Sequence, residues 1–256
     1  MPTTALPLRY DMLSLTHPGR VREHNEDAVA FDALAQVAVL ADGMGGYAAG
    51  EVASGMATAQ ICARIARIKA DYPRLTALDL STELRSAIRQ VNGDILRAAR
   101  SNPQFSGMGA TLVAVAFTGN VAVVAHAGDS RAYLLRQDQL RLLTRDHSAL
   151  QEQIDMGLIL PEDAQRFGGK NLVTRALGVD AELEPDVAMH PMMAGDILLL
   201  CSDGLNDMLS DAKIETVLRQ HTGQPAAAAR QLIEEANAAG GRDNVSVIVV
   251  AARHPG

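Results

Sequence analysis

The segment Ala110-Thr111-Leu112-Val113-Ala114-Val115-Ala116-Phe117-Thr118-Gly119-Asn120-Val121-Ala122-Val123-Val124-Ala125-His126-Ala127 holds two apolar runs separated by Thr118-Gly119-Asn120. A Gly-Asn pair between β-like runs signals a tight hairpin, because glycine reaches positive φ at no steric cost. The two runs are therefore predicted to fold back as antiparallel neighbours. Each run is apolar nearly throughout instead of alternating, which is how a strand covered on both faces reads. Val37 to Ala41, Ile197 to Cys201 and Val245 to Ala251 have the same character.

Between the runs lie helical patterns. One spans Glu51 to about Lys69. A second spans about Leu80 to Arg100, with Leu84, Ile88, Val91 and Ile95 recurring on one face. A third starts at Pro225, a residue suited to the first helical position, and runs to about Ala238. Strands and helices come in blocks, not in strict alternation, so an α+β sandwich is predicted over a doubly wound parallel sheet. No linker, like-charge block or internal repeat divides the chain, and residues 1–256 are expected to form a single domain. The stretch Ser148 to Lys170 is polar and contains Gly157, Pro161, Gly168 and Gly169; it is predicted to be a mobile surface excursion with only short helical patches.

The 256 residues are 48% hydrophobic and 21% charged, which excludes wholesale disorder, and folding should bury about 70% or more of the unfolded chain's surface. The net charge of −7 provides no general basic field for nucleic acid or acidic lipid. No apolar stretch approaches the length of a membrane span, and Met1 to Tyr10 does not read as a signal peptide, so a cytoplasmic protein is expected. Cys62 and Cys201 match no zinc or redox spacing and are predicted to be reduced core residues. Aromatics are only 3% and Trp is absent, so the core must be built from small and branched aliphatic side chains. No feature indicates an obligate dimer, and a monomer is expected.

The acids fall where the buried runs stop. Asp42 follows Val37–Ala41, Asp129 follows the run from Val121, Asp203 follows Ile197–Ser202, and Asp243 precedes the run from Val245. Each has a glycine beside it or two residues away. One such Asp is an ordinary turn residue. Four on one sheet edge would bring carboxylates together, and like charges in a common space raise one another's pKa unless cations neutralise them. An oxygen-only donor set without paired Cys or His suits Mg²⁺ or Mn²⁺, and no calcium-loop pattern is present. His24, His126 and His147 lie near the acids in sequence and read as hydrogen-bonded structural residues. In Arg22-Glu23-His24-Asn25-Glu26-Asp27 the arginine precedes an acid pair, and its donor fork matches a phosphate. Carboxylate-held metals beside an arginine point to a phosphoester substrate.

Taken together, these motifs resemble the metal-dependent serine/threonine protein phosphatases of type 2C, in their bacterial branch. The resemblance is carried by Val21-Arg22 with Asn25-Glu26-Asp27, Ala41-Asp42-Gly43-Met44-Gly45-Gly46, Gly128-Asp129-Ser130-Arg131, Thr144-Arg145-Asp146-His147-Ser148, Thr174-Arg175-Ala176-Leu177-Gly178, Ser202-Asp203-Gly204-Leu205 and Asp243-Asn244-Val245-Ser246. They occur in the family's order from about Arg9 to Ala252. The resemblance implies a β-sandwich of two mainly antiparallel sheets flanked by helix pairs, four layers in all, with a flap at about 148–170. It implies that Asp42 bridges two Mn²⁺ or Mg²⁺ ions, that Asp203 and Asp243 complete the first, and that the Gly43 carbonyl helps hold the second. Glu26 and Asp27 would act through metal-bound water, Asp129 with Asp203 would form a weaker third-metal site, and Arg22 would bind the substrate phosphate. The implied reaction is direct in-line attack by a metal-bridging water on phosphoserine or phosphothreonine in proteins. A cognate serine/threonine kinase is the implied opposing partner.

Some positions depart from the family's pattern. Met44 stands where many members outside bacteria carry a His proposed as general acid, and Met cannot donate a proton. Tyr47 replaces a His common in bacterial relatives; its phenol titrates far higher. Gly109-Ala110-Thr111 replaces a glycine followed by two threonines, a change expected to matter only for packing. Two rival readings remain open. Gly43-Met44-Gly45-Gly46-Tyr47-Ala48 fits a nucleotide-binding fingerprint, but Asp42 would face the pyrophosphate and Ile61 to Ile65 lacks the ribose-binding acid. A non-catalytic phosphoprotein-binding regulator of the same fold would be marked by lost aspartates, and all are present. Activity on small phosphoesters alone is not separated by these motifs, because they recognise the phosphoryl group and not what carries it.

Overall fold

Val37, Val39 and Ala41 pack into one core while their neighbours Ala38 and Leu40 pack into another. Strand side chains alternate between faces, so an uninterrupted apolar run is what a strand buried on both sides requires. The same division recurs at Leu112, Ala114 and Ala116 against Val113, Val115 and Phe117, and at Ile197, Leu199 and Cys201 against Leu198 and Leu200. The inner core lies between two sheets, and each outer core lies between one sheet and helices. The architecture is the α+β sandwich with helices on both outer faces.

The computed structural model describes residues 7–46, 49–160, 163 and 172–255. One sheet contains β2 (Asp27–Asp32), β3 (Val37–Met44), β5 (Leu112–Thr118), β6 (Val121–Ala127) and β9 (Asp186–Pro191), in that spatial order, with β4 (Gly109–Ala110) also pairing with β3. The other runs β1 (Arg9–His17), β11 (Val245–Arg253), β10 (Ile197–Cys201), β7 (Arg131–Arg136) and β8 (Gln139–Leu142). All these pairings are antiparallel. Helices α1 (Ala49–Asp71) and α2 (Ala77–Ser101) cover the first sheet, and α5 (Asp211–Gln220) and α6 (Pro225–Ala238) cover the second. Two short helices, α3 (Ala149–Asp155) and α4 (Asp203–Asn206), follow β8 and β10 in the chain.

The hairpin forms as the sequence predicts. Thr118 pairs with Val121, leaving the two-residue loop Gly119-Asn120 with Gly119 at φ +54°. The loop also anchors the N-terminal strand: Asn120 Oδ1 accepts from Leu8 N–H at 2.8 Å, and the Tyr10 hydroxyl donates to Gly119 O at 3.1 Å. Helix α2 starts three residues before the apolar periodicity shows it, because Thr76 and Asp79 form a reciprocal capping box. Pro225 occupies the first turn of α6. The single run predicted from Ala110 to Phe117 is broken at Thr111, for a reason found in the site.

Strands β1, β2 and β9 carry no clear apolar signal because much of their surface is open, and each is an edge strand. Cys62 and Cys201 are free and buried. Among the described residues no helix is long and apolar enough to cross a membrane. Of the excursion expected at 148–170, residues 148–160 and 163 are described and include α3, capped by Ser148 Oγ accepting from Gln151 N–H at 3.2 Å. Tyr47 and residues 161, 162 and 164–170 lie outside the described residues.

Candidate metal centre

The sandwich brings one end of both sheets together. Asp42 lies near the end of β3, Asp203 opens α4 directly after β10, Asp243 lies two residues before β11, and Asp129 lies two residues after β6. All four line one cleft of about 420 Å³, together with Arg22, Glu26, Gly43, Met44, Thr111 and Asn244. Asp27 opens β2 directly opposite Asp42, but it is buried and is not part of the cleft wall.

Backbone contacts hold these groups in place. Thr111 Oγ1 accepts from Asp42 N–H at 3.2 Å and Thr111 N–H donates to Asp42 O at 2.8 Å, while the Thr111 and Ser130 hydroxyls lie 2.6 Å apart. Thr111 thus leaves the ladder between β4 and β5 to clamp Asp42. Thr111, which keeps the family's residue, fixes the backbone of a cleft carboxylate, while Ala110, where the sequence departs from that pattern, is buried in the core under the helices. Gly43 N–H donates to Glu26 O at 3.1 Å. A Cβ at Gly43 would lie 2.2 Å from Gly50 O, so only glycine lets β3 meet the start of α1 this closely.

Asn244 is the second device that the sequence pattern leaves without a role. Its Oδ1 accepts from Glu26 N–H at 2.8 Å, and its Nδ2 donates to Pro18 O at 3.0 Å and His24 O at 2.9 Å. One buried side chain thereby ties the loop carrying Arg22 and Glu26 to the start of β11. Ser202 Oγ donates to Asp27 Oδ2 at 2.8 Å and accepts from Ser246 N–H at 3.0 Å, which joins the two sheets beneath the cleft. Arg22 Nη2 donates to Asp243 Oδ2 at 2.8 Å, and its other N–H groups have no protein acceptor among the described residues.

Burial, then the neighbouring carboxylates Asp27, Asp203, Asp129 and Asp243, hold the Asp42 carboxyl well above the usual range. Burial, then Asp129, Asp207, Asp243 and Asp27, pushes Asp203 up to about 8. Asp129 is pushed up to about 6 by burial and then Asp146, and Asp27 to about 6 mainly by burial. Burial also raises Glu26. Asp27 Oδ1 is buried with no hydrogen-bond partner among the described residues. Carboxylates crowded in this way, with a single arginine among the described residues of the cleft wall, are short of positive charge, and the donor set fits hard divalent cations. Neither His, Lys nor Cys is among the described residues lining the cleft. The nucleotide-binding reading fails here, since Asp42 and Asp203 stand where a pyrophosphate would need donors.

A family model described as protein phosphatase 2C matches residues 31–245. The chain belongs to the protein phosphatase 2C family. Among curated relatives, "Serine/threonine phosphatase stp" from Listeria innocua is 40% identical over 238 residues, covering 92% of this chain and 93% of that protein. The crystal structure of the Mycobacterium tuberculosis serine/threonine phosphatase PstP/Ppp superposes with a TM-score of 0.86 at 41% identity, covering 97% of this chain and all of that one. A structure of the catalytic domain of PstP in complex with two manganese ions superposes with a TM-score of 0.83 at 39% identity, covering 96% of this chain and 99% of that one. The sandwich of this protein phosphatase 2C is thus that of solved bacterial serine/threonine phosphatases.

Proposed function

We propose that this protein phosphatase 2C hydrolyses phosphoserine and phosphothreonine in proteins, using Mn²⁺ or Mg²⁺ held by Asp42, Asp203 and Asp243. The observation that carries this reading is the convergence of Asp42, Asp129, Asp203 and Asp243 on one cleft with Arg22 in its wall. The names of its relatives, at 40% identity over most of both chains, support the substrate class. The presence of two manganese ions in the PstP complex supports the cofactor.

Bound divalent ions would supply Lewis acidity and an activated water. The protein's part is positional. Asp42, fixed by Thr111, Asp203 at the start of α4, and Asp243 would be the direct ligands, with the Gly43 carbonyl beside them. Glu26 and Asp27 would act through water. Asp129 with Asp203 would make a weaker third site. Arg22, braced by Asp243, would orient the phosphoryl oxygens with the N–H groups it has left over. Met44 has no proton to give to the leaving oxygen.

The finer calls belong to the same proposal. A cognate serine/threonine kinase would supply the phosphoproteins. We take its location to be cytoplasmic. We take the working unit to be a monomer and a single domain over 1–256 with its flap at 148–170.

The test is hydrolysis of a phosphothreonine peptide and of para-nitrophenyl phosphate by purified protein, with Mn²⁺, with Mg²⁺ and with a chelator, beside Asp203→Asn. Release that needs metal and disappears in the variant supports the proposal. A folded protein that releases no phosphate under any metal would make the cluster regulatory.

A further inference from the structure

Outside the catalytic cleft, His126, His147 and Asp186 bring three ligand-type atoms within 4.8 Å of one another. This is the composition of a metal site, but the hydrogen bonds name a different cation. Arg175 Nη1 donates to Asp186 Oδ1 at 2.9 Å and to Glu184 O at 3.1 Å, and it lies 3.1 Å from His147 Nε2. His147 Nδ1 accepts from Gly128 N–H at 3.1 Å. Both ring nitrogens thus face N–H donors, Gly128 at Nδ1 and Arg175 at Nε2, and Asp186 Oδ2 lies 3.5 Å from Nε2. A metal ion would need a lone pair on that same Nε2, where the Arg175 guanidinium already stands. His126 stacks on His147 with centroids 4.6 Å apart, and its Nε2 is paired with Arg145 O at 2.8 Å.

The guanidinium thus closes a cluster made from two motifs that the catalytic reading leaves without a task, Thr144–Ser148 and Thr174–Gly178. Their backbones run together. Thr174 N–H donates to His147 O at 2.8 Å and Ala149 N–H to Leu172 O at 2.9 Å, joining the outgoing and returning limbs of the flap. His147 also grips Gly128 twice, by its ring and by its own N–H donating to Gly128 O at 2.9 Å. On its other side Gly128, at φ +110°, is boxed by Thr111, whose Cβ would lie 2.6 Å from a Cβ added there. The next residue is Asp129, the carboxylate in the cleft wall. The contacts form a continuous path from the flap's base to that carboxylate.

We infer that Arg175 and His147 are positioning residues: the Arg175–Asp186–His147 clamp fixes Gly128, and through it sets the Asp129 carboxylate against Asp203. This rests on the reading of Asp129 as a ligand of a weaker metal. Arginine is used because a single Nη1 serves the Asp186 carboxylate and the Glu184 carbonyl together, and its charge balances that of Asp186. Partners bonded directly to a metal ligand carry about 10- to 100-fold in metal affinity, and Arg175 reaches Asp129 only through His147 and Gly128, so its loss should act at the lower end of that range.

The experiment is calorimetric titration of purified protein with Mn²⁺ alone, for the wild type, Asp129→Asn, Arg175→Ala and Arg175→Lys, with melting temperatures measured alongside. Arg175→Ala should weaken the same low-affinity Mn²⁺ class that Asp129→Asn removes, by about tenfold, and leave the tighter class unchanged. Arg175→Lys should fall between Arg175→Ala and wild type. An Arg175→Ala isotherm identical to wild type, when Asp129→Asn alters it, overturns the clamp and leaves the phosphatase reading intact. A wild type that binds no Mn²⁺ overturns both. If Arg175→Ala does not fold, Arg175→Gln, which keeps a donor for Glu184 O but no charge for Asp186, replaces it in the same comparison.

Discussion

Asp27 and Asp42 are register partners across β2 and β3, so two carboxylates stand directly opposite each other on neighbouring strands. Like charges in that position destabilise a sheet. Here the cost is compounded by burial and by Asp203, Asp129 and Asp243, all of which hold Asp42 above its ordinary range. The fold accepts this local conflict at one end of an otherwise apolar sandwich, where a cation would relieve it. Local rules broken inside a consistent fold mark a functional site.

The first prediction follows from the sign of that shift. A carboxyl raised in the folded state makes the native chain bind more protons than the unfolded one, so stability falls as pH rises above the ordinary Asp range. In chelator, Asp42→Asn should therefore melt higher than wild type at pH 8, by at least about 2–4 °C per kcal/mol recovered. The difference should shrink toward pH 4, where the unfolded chain also becomes protonated. Added Mn²⁺ should raise the melting temperature of wild type and not of Asp42→Asn. Thermal melts at the two pH values, with and without Mn²⁺, decide it; a lower melting point for the variant in chelator at pH 8 would contradict the crowding argument.

Asn244→Ala is expected to destabilise by about 2–4 kcal/mol, because three hydrogen bonds to the loop at 18–26 are lost and Glu26 N–H is left without its acceptor. The loop carries Arg22, so the variant should also show a raised KM for a phosphothreonine peptide. Urea unfolding gives the first quantity and initial rates the second. A change below about 1 kcal/mol, within the range of one ordinary hydrogen bond, would remove Asn244 from its organising role.

What the sequence makes legible, and what it hides, follows from the same contacts. Runs such as Val121–Ala127 read as strands because both faces are covered, and Asp42, Asp129, Asp203 and Asp243 stand out because they interrupt apolar runs beside glycines. Strands such as Asp186–Pro191 do not read as strands because an exposed edge imposes no periodic pattern. Asn244 and Thr111 are hidden for another reason. Their work is side-chain bonding to backbone groups far away in sequence, 218 residues in the case of Glu26 and 69 for Asp42. An amide or a hydroxyl at a loop position looks the same whether it faces water or fixes a ligand. Arg175 stands in the sequence as part of a motif without a task until Asp186 and His147 are seen on either side of it.

His147 carries a pH prediction of the opposite sign to Asp42. Burial first, then His126 and Arg175, lowers its pKa from 6.5 to about 4, with Asp186 opposing. The folded ring stays neutral while the unfolded chain takes up a proton, so its stabilising contribution is complete above pH 6.5 and is lost as pH falls from there to about 4. His147→Asn, which keeps an oxygen acceptor for Gly128 N–H, should therefore lose less melting temperature than wild type between pH 7 and pH 4.5. Equal losses in the two proteins would show that the imidazole protonates freely in the folded state.

Arg22→Ala tests how a phosphate would be held. The guanidinium is about half exposed, at 55%, and one of its terminal nitrogens is committed to Asp243. Its remaining donors would meet the phosphoryl oxygens in the bound substrate and in the transition state alike, which is uniform binding. Removal should then raise KM for a phosphothreonine peptide by about tenfold or more, the equivalent of a charged hydrogen bond, with kcat little changed. The same change frees Asp243 from its ion pair, so Mn²⁺ affinity should hold or tighten. A fall in kcat at unchanged KM would place Arg22 on the transition state alone, and unchanged values of both would exclude it from phosphate binding.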